Sequence, residues 1–278
     1  MCGDYVKKME PLLVFEFLNN IDPIVLILAI IGGVTVGFSL GLFGSGGSIL
    51  AVPFLLYVVG IEDPHVAIGT SALSVASIAV ITLVFNMKKK KIHYKEGIQF
   101  ALPGIGGAII GSNLGLATPS EYLMIIFAGL MIGIAIIMLR KKDNFKITTS
   151  GNNSLVVLHK NKILLTGLLA GLASGYFGIG GGFLIVPSLM YSASIPIHAA
   201  IATSMIPVSG FGLTTAVSYI TTGQINIVLS IFFIIGGIVG SRAGTKLAGI
   251  YSSGTLLKGF AIVLISVAGY IVIHTLFL

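Results

Sequence analysis

Two stretches decide how this chain is read: Gly41-Leu-Phe-Gly44-Ser45-Gly46-Gly47-Ser48-Ile-Leu-Ala-Val-Pro53 and Gly175-Tyr-Phe-Gly178-Ile-Gly180-Gly181-Gly182-Phe-Leu-Ile-Val-Pro187. They match almost position for position, 134 residues apart. Each interrupts a long apolar run where an ordinary membrane helix would continue. Glycine costs about 1 kcal/mol relative to alanine inside a helix, so a cluster of glycines tends to stop one. Irregular backbone at membrane depth is tolerated only where it is buried in protein or lines a cavity. The two breaks are therefore read as the halves of one solute site, with Pro53 and Pro187 as helix-break prolines closing each signature.

Composition places the chain in a membrane. Hydrophobic residues make up 55% of it and charged residues 9%, far too little charge for a soluble domain. Apolar segments fall at roughly 23–43, 49–59, 67–87, 98–117, 122–139, 163–177, 183–193, 199–220, 226–247 and 255–277. Several approach the ~20 residues needed to cross a bilayer. The period-two alternation of a membrane β-barrel is absent, so the expected class is an all-α polytopic membrane protein. The stretch after the first break, Ser48 to Val59, is too short to span. It reads as a half-helix folded back as a hairpin on the preceding helix. The lone Cys2 rules out an internal disulfide and a multi-cysteine metal site. The N-terminus does not read as a cleaved signal peptide.

The net charge of +7 is not a nucleic-acid signature, because its placement follows the membrane. Of 16 basic residues, five lie at Lys88–Lys95, six at Arg140–Lys162, and three (Arg242, Lys246, Lys258) flank the last connection. Counting all ten segments puts these regions on one side, which the positive-inside rule makes cytoplasmic. Asp4, Glu10, Glu16, Asp22, Glu62, Asp63 and Glu121 fall on the other. The expectation is a multi-pass protein of the cell membrane with both termini extracytoplasmic.

The chain divides into an N-terminal lead at 1–22, which is either interfacial or frayed, a transmembrane repeat at 23–140, a cytoplasmic linker at 141–162 and a second repeat at 163–278. Beyond the glycine signature, His65-Val-Ala-Ile-Gly-Thr70-Ser71 returns as His198-Ala-Ala-Ile-Ala-Thr203-Ser204. Gly111-Ser-Asn113-Leu-Gly115 returns as Gly240-Ser-Arg242-Ala-Gly244. Ordered self-similarity of this kind signals duplication. Five segments per repeat is an odd number, so the second repeat enters from the opposite face. This predicts inverted repeats, with about eight full crossings plus short half-helices.

A half-helix starting near Ser48 or Phe183 presents free backbone N–H groups and a partial positive charge, the features that bind anions. The candidate substrate-binding residues are Gly44, Ser45, Gly46, Gly47, Ser48, Thr70, Ser71, Gly178, Gly180, Gly181, Gly182, Thr203 and Ser204. The competing reading of the glycines is close helix packing. That of the hydroxyls is bonding to the carbonyl four residues back. His65, His198, Asn113 and Arg242 are secondary candidates; the histidines are read alternatively as loop or interface residues and Arg242 as a snorkelling cation, with Asn113 its neutral counterpart. The signatures are neither a dinucleotide fingerprint nor a P-loop. All nine carboxylates lie outside the apolar segments and residues 144–278 contain none, so no carboxylate proton relay or carboxylate-based cation site is expected. No metal or cofactor is expected either. An anionic solute is favoured, with the lipid bilayer as the other partner. Assembly with further copies of the chain is compatible with the sequence.

These residues resemble the sulfite exporter TauE/SafE family, also called the 4-toluene sulfonate uptake permease family, over about residues 24–275. The resemblance rests on the doubled Gly-x-x-Gly-x-Gly-Gly…Pro signature, the Thr-Ser pair and the Gly-Ser-x-x-Gly element. It implies a cell-membrane transporter, in a family whose members are linked to sulfite, sulfonates, sulfoacetate and other organic anions. The first break departs in reading Gly46-Gly47-Ser48 where the second reads Gly180-Gly181-Gly182. The leading expectation is a secondary carrier for a sulfur oxyanion or organic anion working by alternating access. An anion channel on the same scaffold is the alternative. A membrane enzyme lacks the buried carboxylate, cysteine or metal cluster it would need.

Overall fold

The computed structural model describes residues 22–87, 92–120, 160–180, 182–193 and 195–248, together with 122, 123, 125–127, 129, 130, 132, 133, 266 and 269. The N-terminal lead, most of the linker and most of the segment at 255–277 lie outside the described residues. Those described are helical or connecting. The elements are α1 (Pro23–Phe43), a 3₁₀ segment (Gly44–Leu50), α2 (Ala51–Tyr57), α3 (Pro64–Asn86), α4 (Tyr94–Ala117), α5 (Lys160–Phe177), α6 (Gly182–Ser192), α7 (Ile197–Thr221) and α8 (Ile227–Ala248).

Local chemistry sets the starts. The Asp22 carboxylate accepts from the Ile24 amide at 3.1 Å and Asp63 from the His65 amide at 2.8 Å, and Pro23 and Pro64 follow directly. An acidic cap followed by proline satisfies one orphan N–H and omits another. Both α1 and α5 stop at a left-handed glycine, Gly44 (φ 71°) and Gly178 (φ 65°). Side chains disfavour that conformation by about 1–2 kcal/mol. These glycines make the breaks. The expectation that Pro53 and Pro187 do so is corrected: Pro53 is the third residue of α2, and Pro187 lies inside α6. In the first turn, where Pro53 sits, a proline omits only an N–H that would have no helical partner; Pro187 lies beyond the first turn and is carried within α6.

Among the described residues, five helical stretches are long and apolar enough to cross a membrane: Pro23–Tyr57 taken as one, then Pro64–Asn86, Tyr94–Ala117, Ile197–Thr221 and Ile227–Ala248. Lys162–Phe177 is a shorter apolar helix. Large apolar side chains cover their outer faces, among them Ile27 and Ile31 on α1, Leu102 and Ile110 on α4, and Ile235 and Val239 on α8. This is the surface lipid would meet.

Helix 1 of each repeat packs along helix 4 of the other. A Cβ on Gly33, Gly37 or Gly41 of α1 would overlap the main chain of Phe233, Gly237 or Ser241 on α8. A Cβ on Gly167, Gly171 or Gly175 of α5 would overlap the main chain of Phe100, Gly104 or Ala108 on α4. The contacts ascend together in both pairs, so each pair runs parallel. In a bilayer, association depends on close packing, and small residues let backbones approach. The glycines of α1 and α5 are equivalent, and their partners match when α4 and α8 are aligned from His93 and Asn226, so the pairing of Gly111 with Gly240 expected from the sequence is one helical turn out of register. Much of the glycine content of this chain is thus packing, the competing reading weighed above.

The first break turns the chain back on itself. A Cβ on Gly47 would overlap the main chain at Ser39 and Leu40, and one on Gly32 would strike the Phe54 ring. The 3₁₀ segment and α2 therefore lie antiparallel along α1 as a hairpin. The expected half-helix start near Ser48 is replaced by 3₁₀ winding directly from Gly44, with α-helix from Ala51.

Candidate functional site

The two breaks meet inside the protein. The Ser48 hydroxyl lies between the Ser45 carbonyl, at 2.8 Å, and the carbonyl of Ile179 in the second break. The Ser45 amide donates to Ser204 Oγ at 3.1 Å, and Ser204 Oγ donates to the Ile201 carbonyl at 2.8 Å. On the other side, Ser71 Oγ lies between the carbonyls of Ile68 (2.8 Å) and Gly178 (3.0 Å). Each break is thus held by the serine of the other repeat's Thr-Ser pair. Ser45, Ser48, Ser71 and Ser204 are all fully buried. Gly44, Gly46, Gly47, Gly178 and Gly180 are buried with them.

Sequence reasoning grouped each threonine with its serine, and the structure separates them. Thr70 Oγ1 accepts from the Asn226 amide and Thr203 Oγ1 from the His93 amide, both at 3.0 Å. Asn226 and His93 immediately precede α8 and α4. The threonines secure the entry of helix 4 in the opposite repeat, not the breaks. Thr70→Val and Thr203→Val each leave an amide without its acceptor, at a cost of about 1–3 kcal/mol. The two should add, being at separate ends. Reversible unfolding of purified protein in mixed detergent micelles measures this, and no loss in either variant refutes the role.

The breaks differ in detail. Gly180 has φ 61°, but its first-repeat equivalent Gly46 belongs to the 3₁₀ segment. Gly182 begins α6, one residue before the expected start, and Gly181 lies outside the described residues. Apolar side chains from equivalent positions surround the breaks. Ile201 packs against Gly44 and Ile68 against Gly178, and Val75 and Val208 flank Gly180. None of these four was singled out from the sequence. The offset between repeats would have found them, since Ile68/Ile201 and Val75/Val208 occupy matching positions.

The secondary candidates lie elsewhere. Asn113 is exposed and its amide donates to the Ile109 carbonyl of its own helix at 2.7 Å. Arg242 is exposed and sits over the Phe85 ring at 4.1 Å. A guanidinium over an aromatic face is a cation–π contact. His65, in the first turn of α3, is half-buried and lies 6.5 Å from the Tyr219 ring. His198 is half-buried in the first turn of α7. Among the described residues, no three His, Cys, Asp or Glu side chains come together as a metal-binding group.

The chain is similar to proteins named as probable membrane transporters. One from Xylella fastidiosa is 40% identical over 249 residues, covering 89% of this chain and 95% of the relative. One from Methanocaldococcus jannaschii is 30% identical over 258 residues, covering 87% and 90%. YunE of Bacillus subtilis is 26% identical over 272 residues, covering 91% and 98%. No solved structure matches the chain. The family model described as sulfite exporter TauE/SafE matches residues 29–271. With that match spanning most of its length and bearing the doubled glycine signature, the chain belongs to the TauE/SafE family of membrane transporters.

Proposed function

We propose that this transporter is a secondary carrier of a small anion, a sulfur oxyanion or an organosulfonate or other organic anion, and that it works by alternating access around the two glycine breaks. The observation that carries this reading is the junction of the breaks at Ser48 and Ile179, with Ser71 and Ser204 bracing it from equivalent positions. Irregular backbone buried between repeats is where carriers of this general plan bind solute. No carboxylate falls within an apolar segment, which favours negative charge in the ligand.

Helix directions support inverted repeats. Helix α1 runs parallel to α8, α8 to α3 (through Thr70–Asn226 and Ile78–Gly237), α4 to α5, and α4 to α7 (through Phe100–Phe211 and Ser112–Ser218). Helices α3 and α7 run antiparallel, with Gly69 near Gln224 and Gly212 near Ala76. Helices α1, α3 and α4 thus oppose α5, α7 and α8, as an in-plane pseudo-two-fold requires. The reading retains repeats at 23–140 and 163–278 joined by a cytoplasmic linker at 141–162, about eight crossings plus half-helices, a cell-membrane location, and both termini outside.

The test is uptake into proteoliposomes of radiolabelled sulfite and of a labelled aryl sulfonate. The expected result is saturation with concentration and acceleration by unlabelled anion trapped inside. Flux that rises linearly and shows no counterflow overturns the carrier in favour of a channel. No flux of either sulfite or the aryl sulfonate, or of a labelled carboxylate run beside them, overturns the anion assignment.

A further inference from the structure

Away from the junction of the breaks, one corner of the protein gathers buried polar atoms. Among the described residues, eight buried side-chain nitrogen or oxygen atoms make no hydrogen bond, and three of them are His65 Nδ1, Tyr219 Oη and Gln224 Oε1. These three residues meet where α3 begins and α7 ends. The His65 and Tyr219 rings lie 6.5 Å apart. Gly69, one turn beyond His65 on α3, packs against the Gln224 carbonyl and the Tyr219 β-carbon. Tyr219 Oη lies against Gly115 near the end of α4. Each buried polar group left unpaired costs about 1–3 kcal/mol, so three together call for an explanation.

One of the three can change its charge. Histidine is the side chain that takes up and releases a proton between about pH 5 and 8. With a proton added, Nδ1 becomes a donor, and Gln224 Oε1 and Tyr219 Oη are acceptors with nothing else bonded to them. Few other ionisable groups face this corner. On α3, the Asp63 carboxylate caps the helix and Glu62 is exposed. Tyr176 of α5 donates to Thr118 Oγ1 at the end of α4 at 3.1 Å. The connection from Thr222 to Asn226 holds no charged residue.

The corner is tied to the second break. His65, Ile68 and Ser71 follow at three-residue steps along one side of α3. Ile68 packs against Gly178, and Ser71 Oγ donates to the Gly178 carbonyl at 3.0 Å. Six residues of helix put Ser71 about 9 Å along the axis from His65. The other repeat lacks the same set. At the offset that pairs His65 with His198, Asn86 and Lys91 stand in the places of Tyr219 and Gln224. A lysine opposes a second positive charge.

We propose that His65 is the proton-binding residue of a proton–anion symporter, with Gln224 and Tyr219 as the partners of its charged form. This rests on the anion-carrier reading above. Burying an anion without a compensating charge is costly, and among the described residues no lysine or arginine is buried. A proton taken from water onto Nδ1 makes His65 an imidazolium and supplies that charge. Proton and anion then cross together, and Nδ1 returns its proton to water on the far side. A proton needs no cavity, in keeping with the close packing of this corner.

The test has two arms, both on the purified full-length protein. The first needs no anion: NMR of histidine-labelled protein in detergent micelles, from about pH 5 to 8. His65→Gln, or His65→Asn where Gln yields no folded protein, identifies the His65 signal by its loss. That signal is expected to titrate within the range, and one that stays put overturns the proposal. The second arm is proteoliposomes with labelled benzenesulfonate, whose sulfonate stays ionised, so a pH gradient does not trap it. One proton per anion lets a gradient of one pH unit, acid outside, sustain up to about tenfold accumulation. The parent is expected to approach that, and the His65 variant to fall to the level seen without a gradient. Counterflow at equal pH measures the functional carrier in each sample. His93→Gln, which removes an exposed histidine at the other end, accumulates like the parent. Tyr219→Phe keeps the ring and removes one acceptor, so half-maximal initial uptake moves to lower outside pH. An unmoved midpoint takes Tyr219 out of the site. Parental counterflow with no response to the gradient excludes proton coupling, and the carrier reading stands. Accumulation by the His65 variant equal to the parent's means that His65 does not bind the coupled proton. Where benzenesulfonate shows no counterflow, labelled sulfite takes its place against a protein-free blank. If neither anion moves, the carrier reading fails and the symporter with it.

Discussion

Gly171→Val leaves little folded transporter. Gly171 on α5 faces Gly104 on α4, and a Cβ there would overlap the Gly104 carbonyl, carbon and α-carbon. Every obstructing atom is main chain. A flexible side chain could rotate aside, but here the two helices must separate. The neighbouring contacts at Gly167 and Gly175 are of the same kind, so separation at one point loosens its neighbours. Overpacking a tight interior typically costs about 1–3 kcal/mol. Where only backbone can yield, we expect the upper end or beyond, a large share of a typical native stability of about 5–15 kcal/mol. Gly106→Ala on α4 is the control, because nothing lies within 4 Å of the Cβ it would add. It should be neutral or stabilise by up to about 1 kcal/mol through helix propensity. Size-exclusion profiles of fluorescently tagged variants measure the folded fraction. A monodisperse Gly171→Val variant at parental yield would refute the packing argument. Gly37→Val on α1, facing Gly237, should fail in the same way.

Gly178→Ala is expected to abolish transport even in whatever fraction still folds. Gly178 ends α5 at φ 65°, so alanine bears about 1–2 kcal/mol of left-handed strain. Its Cβ would also overlap the Ile68 side chain and approach the Ile68 carbonyl at 2.8 Å. That carbonyl and the Gly178 carbonyl share the Ser71 hydroxyl. Moving either one displaces the second break from its brace. Gly60→Ala separates the two causes. Gly60 has φ 84° but nothing within 4 Å of an added Cβ, so it bears the strain alone and should still transport. Equal loss in both variants would mean that backbone conformation, and not the contact with α3, decides the outcome.

Much of the fold was legible because it rests on local chemistry. The apolar run at 23–43 coincides with α1, and α4, α7 and α8 begin and end within a few residues of their apolar segments. Asp-Pro pairs mark the starts of α1 and α3 for a reason contained in a few adjacent residues. The breaks at Gly44 and Gly178 were found because clustered glycines destabilise helix wherever they stand. Proline was a poorer guide: a ring carried within a helix, as Pro53 is in the first turn of α2 and Pro187 is further into α6, looks in sequence like one that ends it.

The candidate site was legible only as a neighbourhood. Thr70 and Ser71 are adjacent, yet one secures the approach to α8 and the other braces the second break, because successive helical residues point about 100° apart. Gly44 and Gly47 are three residues apart, yet one makes the turn and the other lets the hairpin close on Ser39 and Leu40. Helix propensity makes no distinction between these uses of glycine.

By itself the sequence determined the membrane class, the internal similarity of its two halves, the placement of several helices and the two interruptions, since apolar length, charge and backbone preference act over a few residues. Only the tertiary structure decided that helix 1 of each repeat lies along helix 4 of the other, that each Thr-Ser pair serves the opposite repeat, and that Ser45 alone among the serine hydroxyls at the breaks is left without a partner. Those outcomes depend on contacts between residues far apart in the sequence, which are set by which surfaces can approach closely, and local periodicity carries no record of that.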